Sequence, residues 1–464
     1  MSSPARVAAK EPAGEAWRRL IGAASLTGAA SLAGAALSIA ATKVFAAMLG
    51  PSEIAVLSTL QQVRQAGVIG ATLNGQTALV QGLSARGGEG DQAWRSFLRT
   101  SLLLIGAAGA AVSAILMTAP EWIARWSGIG PERTTLVRWL AAPVVLTCAL
   151  VVWSAILNAR RQTGRLALVQ LAAPAAMALL AYPAARAAGS GNESALLGWL
   201  AAAPACAALA ALAVGASKPW WCGGGGRWWN RRDASVFLTV SGSLLAGGAA
   251  GSLALLGARA RILHQQGFAA AGEFDAAWAI SMNHVSVLLG SLQTYCLPEL
   301  ARACSKEVRT ADLRRMLTAA GIASAAAVCA LAVCKPAILA LLYSDGFQGA
   351  ARFLRWTLMG DYLKASSWVL SVSLLAAADM RGFLGADLIA YAVFAAGAAA
   401  LARFRGAAEA TAIGFVLMYA AHLLACGWIA WRRCGFRPGA RLAAIWTAGL
   451  AAVAAVSALT WERT

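Results

Sequence analysis

From Thr42 to Arg86 the chain reads TKVFAAMLGPSEIAVLSTLQQVRQAGVIGATLNGQTALVQGLSAR. An apolar helix closes, Leu49-Gly50-Pro51-Ser52 supplies a turn, and a second stretch of membrane length begins. That second stretch carries Gln61, Gln62, Arg64, Gln65, Asn74, Gln76 and Gln81. A helix that faces only lipid does not bear such a load, because a charge at the bilayer centre costs about 3 kcal/mol or more and is turned toward a bundle interior or a wet cavity. From Ala258 the pattern returns as ARARILHQQGFAAAGEFDAAWAISMNHVSVLLGSLQTYCLPELAR. A helix again ends, a Gly-containing turn follows, and a polar-spotted helix leads into a basic segment. The chain therefore reads as two related halves around a shared interior.

The rest of the sequence agrees with a membrane bundle. Of 464 residues, 59% are hydrophobic and 13% are charged, against about 25% charged in soluble domains. A span needs about 20 apolar residues. Thirteen stretches qualify, near 20–48, 54–83, 98–118, 136–158, 166–185, 195–215, 235–257, 277–297, 313–334, 354–377, 383–402, 409–430 and 441–460. The expected fold is all-α and polytopic: two six-helix lobes related by an internal repeat around a central cavity, plus an extra C-terminal helix. The lobes are 20–216 and 235–431, after a cytoplasmic tail at 1–19. The linker 217–234 holds a Gly run and four Trp residues, which suit a helix break at an interface. Residues 432–464 add a basic segment and the thirteenth span.

The net charge of +19 follows from topology rather than from a nucleic-acid partner. With the N-terminus inside, 24 Lys and Arg fall on cytoplasmic segments and 12 on the other side, the bias expected of a membrane protein. The first apolar run is too long for a signal-peptide core, so it is expected to remain as a span. The nine cysteines form no CxxC pair, and His264, His284 and His422 have no metal-ligand spacing. No Walker A loop and no favoured nucleophile arrangement is present, so the expectation is a non-enzyme without cofactor.

The halves align past their first helices. APEWIARW leads to a span ending NARRQTGR, and KPAILALLYSDGF leads to a span ending AAADMRGF. In each, a short amphipathic segment near a Pro precedes a span and a basic turn. Both halves start on the same side, which describes a parallel repeat about an axis along the membrane normal. Transporters built so commonly hold substrate between the halves and rock one against the other.

Three segments carry a family resemblance. TKVFAAMLGPSEIAVLSTLQQ, FDAAWAISMNHVSVLLGSLQTYCLPELAR and GDYLKASSWVLSVSLLAAADMRGFLGADLIAY resemble segments of the Wzx-type O-antigen and enterobacterial-common-antigen flippases, relatives of MATE exporters and lipid II flippases. Glu53 departs from the family pattern after Gly-Pro, and the thirteenth span is extra. The resemblance implies movement of an undecaprenyl-pyrophosphate-linked oligosaccharide from the inner to the outer leaflet of the bacterial plasma membrane. Whether a polymerase or glycosyltransferase of the same pathway is a partner stays open. Coupling to protons, sodium or the membrane potential stays open.

A diphosphate calls for fixed positive charge in a low-dielectric cavity. The cations in or near spans are Lys43, Arg64, Arg259, Arg261 and Lys364. Four of them have a plainer reading. Lys43 can snorkel to the surface, Arg259 and Arg261 can end a helix at the interface, and Lys364 can brace Asp361 at i,i+3. Gln61, Gln65, Asn74 and Asn283, with Gln62, Gln76 and Gln293, suit sugar hydroxyls or interhelical bonding alike. Glu273, Asp275 and Asp361 are candidates for a gate or for coupling, the first two as partners of Arg259 or Arg261. Asp379 and Asp387 read as charges flanking loops. The cationic set and the acid-free first span favour an anionic substrate. A MATE-like exporter, a lipid II flippase and a non-transporting scaffold are the alternatives.

Overall fold

The computed structural model describes residues 13–86, 92–215, 228–302, 306–377 and 379–460; the side chains of 13–29, 31–32, 214–215, 283–288, 290–299, 301–302, 306 and 308 are outside that description. The expected tail at 1–19 and the linker at 217–234 are thus covered only in part.

The first half comprises α1 (Ala13–Ala71), α2 (Gln76–Ser84), α3 (Gln92–Thr118), α4 (Pro120–Ser127), α5 (Thr134–Trp139), α6 (Ala141–Ala159), α7 (Thr163–Gly189) and α8 (Ser194–Gly215). The second comprises α9 (Arg231–Arg302), α10 (Lys306–Leu342), α11 (Ala350–Ala376), α12 (Met380–Arg405) and α13 (Ala407–Cys434), followed by α14 (Ala440–Leu459). No strand occurs among the described residues. Among the described residues, ten helical segments are long and apolar enough to cross a membrane, two of them 52 residues long. The chain is a multi-pass membrane protein. α11 falls outside those ten because Arg352, Arg355, Asp361 and Lys364 dilute its apolar character.

The two longest helices share one device. α1 kinks at Gly50 (φ 78°, ψ −177°) and α9 at Gly267 (φ 79°, ψ 179°). A side chain is strained at that φ, so glycine is the residue for the bend. After Gly50 comes Pro51, whose fixed φ suits the first turn of the next arm. The matching backbone angles give the repeat a structural counterpart, and the two kinks lie at the same end of the bundle. We call this the kink end, and the opposite end, near Arg86, Arg231 and Asp379, the linker end.

Helices within each half pack on one another: α1 on α7, α7 on α8 and α6 on α8, then α12 on α13, α11 on α13 and α10 on α11. α1 and α9 provide the principal contact between the halves. In the first half Phe45 meets Trp199 edge-on, with ring centroids 4.6 Å apart, and Trp199 Nε1 donates to Met177 O at 2.9 Å. In the second, Phe274, Trp278, Phe353 and Phe415 tie α9 to α11 and α13. α14 lies along α10 and α11. Tyr362 Oη donates to Ile445 O and Trp446 O, each at 3.2 Å, and Lys335 Nζ donates to Thr460 O at 3.2 Å. A cation at the carbonyl end of a helix is favourably placed.

Two sequence expectations require correction. The stretch 54–83 is not one helix: α1 stops at Ala71, Leu73 and Asn74 take φ of 52° and 49°, and α2 begins at Gln76. Asn tolerates that backbone better than most residues, and the adjacent Gly75 lies under the Phe237 ring of α9, where a Cβ has no room. The second amphipathic segment is also absent as a separate element. In the first half α4 stands apart after Ala119, whereas α10 runs through Pro336 to Leu342. α14, which has no counterpart among the described residues of the first half, packs along α10.

Candidate functional site at the contact between the halves

At the kink end the halves touch backbone to backbone. Gly272 of α9 lies so close to Pro51 of α1 that a Cβ would run into the Pro51 carbonyl. Lys43 Nζ donates to Ala340 O and Tyr343 O, both at 3.2 Å. It thereby uses the carbonyl end of α10, a favourable place for a cation. Ser344 Oγ donates to Ala46 O at 3.2 Å. Phe45, Ala46, Ile54, Tyr343, Phe347 and Leu354 form one continuous apolar cluster beneath these bonds.

Arg259 sits one layer deeper. It is 7% exposed, donates from Nη1 to Ser58 O at 3.0 Å, and pairs through Nη2 with Asp275 Oδ1. One guanidinium thus joins both arms of α9 to the second arm of α1. A buried arginine needs this compensation, since removing one member of a buried pair leaves a naked charge. Glu273 does not share the pair: its carboxylate accepts from Arg352 Nη2 at 3.1 Å. The helical register explains the separation, because two positions along a helix turn a side chain to another face.

Arg261 points elsewhere. It lines an open groove of about 730 Å³ with Trp122, Arg125, Trp126, His264 and Gln265. The two indoles stack at 6.2 Å with 7° between their planes. Arg64 lies in the second arm of α1, half-buried. Its Nη1 reaches only the Thr147 hydroxyl, at 3.5 Å, and its buried Nε has no hydrogen-bond partner among the described residues. No carboxylate pairs with it among those residues, which distinguishes it from Arg259.

The fifth cation lies within the second half. Lys364 Nζ is 3.4 Å from Met282 Sδ, 5.4 Å from the Tyr419 ring centre and 6.0 Å from that of Phe415. Asp361, one helical turn earlier and 1% exposed, accepts from Ser281 Oγ at 2.7 Å. In the same half, Asp387 Oδ1 pairs with His422 Nε2 at 3.2 Å. Asp387 is therefore inside the bundle and not a loop charge, whereas Asp379 does flank a helix, capping α12 through Gly382 N at 3.1 Å. The Asp387–His422 pair is not legible in the sequence, where His422 has no metal-ligand spacing and Asp387 reads as a charge flanking a loop. Among the described residues no group of His, Cys, Asp and Glu is placed to hold a metal ion.

The amides divide as well. Asn74 Nδ2 donates to Leu244 O at 2.7 Å, a contact between the halves toward the linker end. Gln61 is half-buried and Gln65 is exposed. The Asn283 and Gln293 side chains fall outside the described residues. The first arm of α9 is shared between the halves here. Phe237 packs with Leu79, Leu83, Trp94 and Phe97, and Asp233 accepts from Arg86 at 3.0 Å and from Ser96 at 2.8 Å. On its other face Gly247 approaches Asp387 and Gly251 approaches Tyr391.

No protein-family model and no curated protein matches the sequence. Solved structures do. An inward-facing multidrug resistance MATE family transporter of the MOP superfamily superposes with TM-score 0.70 at 15% identity, covering 89% of this chain and 96% of that one. The chain shares the fold of that transporter. The lipid II flippase MurJ, in an inward closed conformation, gives TM-score 0.66 at 12% identity over 94% of this chain and 99% of its own. A MOP superfamily transporter from Pyrococcus furiosus, for which reverse polarity of the binding pocket suggests a different function, gives 0.67 at 15% over 91% and 96%. At these identities the likeness is one of fold.

Proposed function

We propose that the chain is an alternating-access flippase for an undecaprenyl-pyrophosphate-linked oligosaccharide. The observation that carries this reading is Arg64: a half-buried guanidinium in a helix of the bundle, whose hydrogen bonding among the described residues is to one hydroxyl at 3.5 Å. A charge in such a place draws an anion, and a guanidinium fork matches phosphate oxygens. Lys43 and Arg259, already bonded across the halves, act as closing contacts of the kink end rather than as the resting phosphate site. They become available to the diphosphate only when that end opens. In this scheme Gln61 and Asn74 meet sugar on the linker side, with the polyprenyl tail left in lipid. The N-terminus is cytoplasmic, the membrane is the bacterial plasma membrane, and the kink end is the outer side.

A second reading, a MATE-like small-molecule exporter, draws on the buried Asp361 and the half-buried Asp387 in the second half, which suit a cation or a coupling ion. A lipid II flippase is a variant of the first reading with a different sugar. Complementation separates them. A bacterial strain lacking its own O-antigen or common-antigen flippase regains surface glycan if the first reading holds, and a strain lacking its efflux pumps gains drug resistance if the second does.

A further inference from the structure

At the linker end, away from the contact between the halves, α12 and α13 line a groove of about 900 Å³. Its walls are Gly382, Gly385 and Ile389 of α12 and Ala421, Ala425 and Trp428 of α13. Leu424 on its rim is 74% exposed and Ile389 53% exposed. Both belong to helices long and apolar enough to span the membrane, so the groove opens sideways to where hydrocarbon lies. Its floor has room: nothing stands within 4 Å of a Cβ built on Gly385.

The mouth of the groove is cationic. Arg381, Arg432 and Arg433 converge there with a single carboxylate, Asp379. Asp379 is already engaged, accepting from Gly382 N at 3.1 Å and pairing with Arg433 Nε at 2.9 Å. Among the described residues neither Arg381 nor Arg432 pairs with a carboxylate. The Arg432 guanidinium lies over the Trp428 ring at 4.3 Å, which leaves its N–H edge in position to donate sideways. An apolar trough that ends in guanidinium groups and an interfacial indole has the chemistry of an aliphatic chain beneath an anionic headgroup.

We propose that this groove holds one anionic phospholipid of the surrounding leaflet, with its phosphate between Arg381 and Arg432 and an acyl chain along Gly385, Ile389 and Leu424. The site is distinct from the contact between the halves and does not depend on what the protein transports.

The test is native mass spectrometry of the purified full-length chain in detergent, after exposure to phosphatidylglycerol or phosphatidylcholine, with a thermal melt on each sample. Wild type is expected to retain one phosphatidylglycerol at least tenfold more than phosphatidylcholine, and to melt higher with it. Arg381→Gln with Arg432→Gln should abolish the preference. Gly385→Leu, which fills the trough and leaves the arginines in place, should abolish retention without changing the lipid-free melt. Equal retention by wild type and the double variant overturns the proposal. So does binding of glycerol 3-phosphate as strong as that of the lipid, which would mean a phosphate site with no chain. Displacement by stoichiometric undecaprenyl phosphate also overturns it, by giving the groove to the polyprenyl carrier.

Discussion

Gly272 and Pro51 meet so closely that only hydrogen fits between the glycine Cα and the proline carbonyl. Each lies just after the kink of its own half, Gly50 in α1 and Gly267 in α9. The repeat thus brings its two equivalent bends together, and their contact seals the kink end. A methyl at Gly272 cannot be absorbed by a flexible side chain, because the atom it meets is backbone. Gly272→Ala is expected to force the kink end apart. Spin labels on Ser52 and Gln348 in a cysteine-free background should report a longer distance in the variant than in the parent. An unchanged distance would mean that this contact does not set the closed state.

Arg259 and Asp275 form the buried ion pair beneath that seal, and the arginine also holds the Ser58 carbonyl. Removing one partner leaves the other charge uncompensated, a loss of about 3–5 kcal/mol for a buried pair. Asp275→Asn should lower the melting temperature in detergent markedly. Exchanging the two residues should recover part of the loss, and no recovery would show that the backbone contact to Ser58 carries the stabilisation instead.

Lys43 reaches across to α10 through a single ammonium. Lys43→Met keeps the length and apolar stem and removes both bonds, each worth about 1 kcal/mol net. The expected effect is a small loss of stability. A larger gain is expected in labelling by a membrane-impermeant maleimide when Ser344→Cys supplies the only thiol. Equal labelling with Lys43 and with Lys43→Met would speak against a closing role.

The docking of α14 depends on Tyr362, whose hydroxyl donates to two carbonyls in the second turn of that helix. Tyr362→Phe should cost about 1 kcal/mol. Gly449→Leu, which drives a side chain into the Tyr362 ring, should undock the helix and expose residues 435–440 to protease. Resistance equal to wild type would show that packing on α10 alone holds α14.

Gly50 was legible because Gly-Pro after an apolar run is a local signal, and Gly267 because the repeat pointed to it. The break at Leu73 and Asn74 was not. In sequence Asn74 is one more polar residue in a helix, and the cause of the break, Phe237 against Gly75, lies on another half of the chain. The pairing of Arg259 with Asp275 could be suggested from 16 residues of separation. Lys43 could not be read, since its acceptors are main-chain carbonyls 297 and 300 positions away and carbonyls leave no mark in composition. Asp387 and His422 sit on neighbouring helices as two isolated polar residues in apolar sequence, a pattern that signals burial without naming a partner.

The most direct measurement is complementation of a flippase-deficient strain by wild type, Arg64→Lys and Arg64→Ala at matched membrane expression, scored as surface glycan. Wild type should restore the glycan, Arg64→Lys should restore part of it because the charge stays while the fork is lost, and Arg64→Ala should fail while melting like wild type. Full restoration by Arg64→Ala would contradict the assignment of the diphosphate to this arginine. No restoration by a correctly inserted wild type, together with drug resistance in a pump-deficient strain, would replace the flippase reading with the exporter.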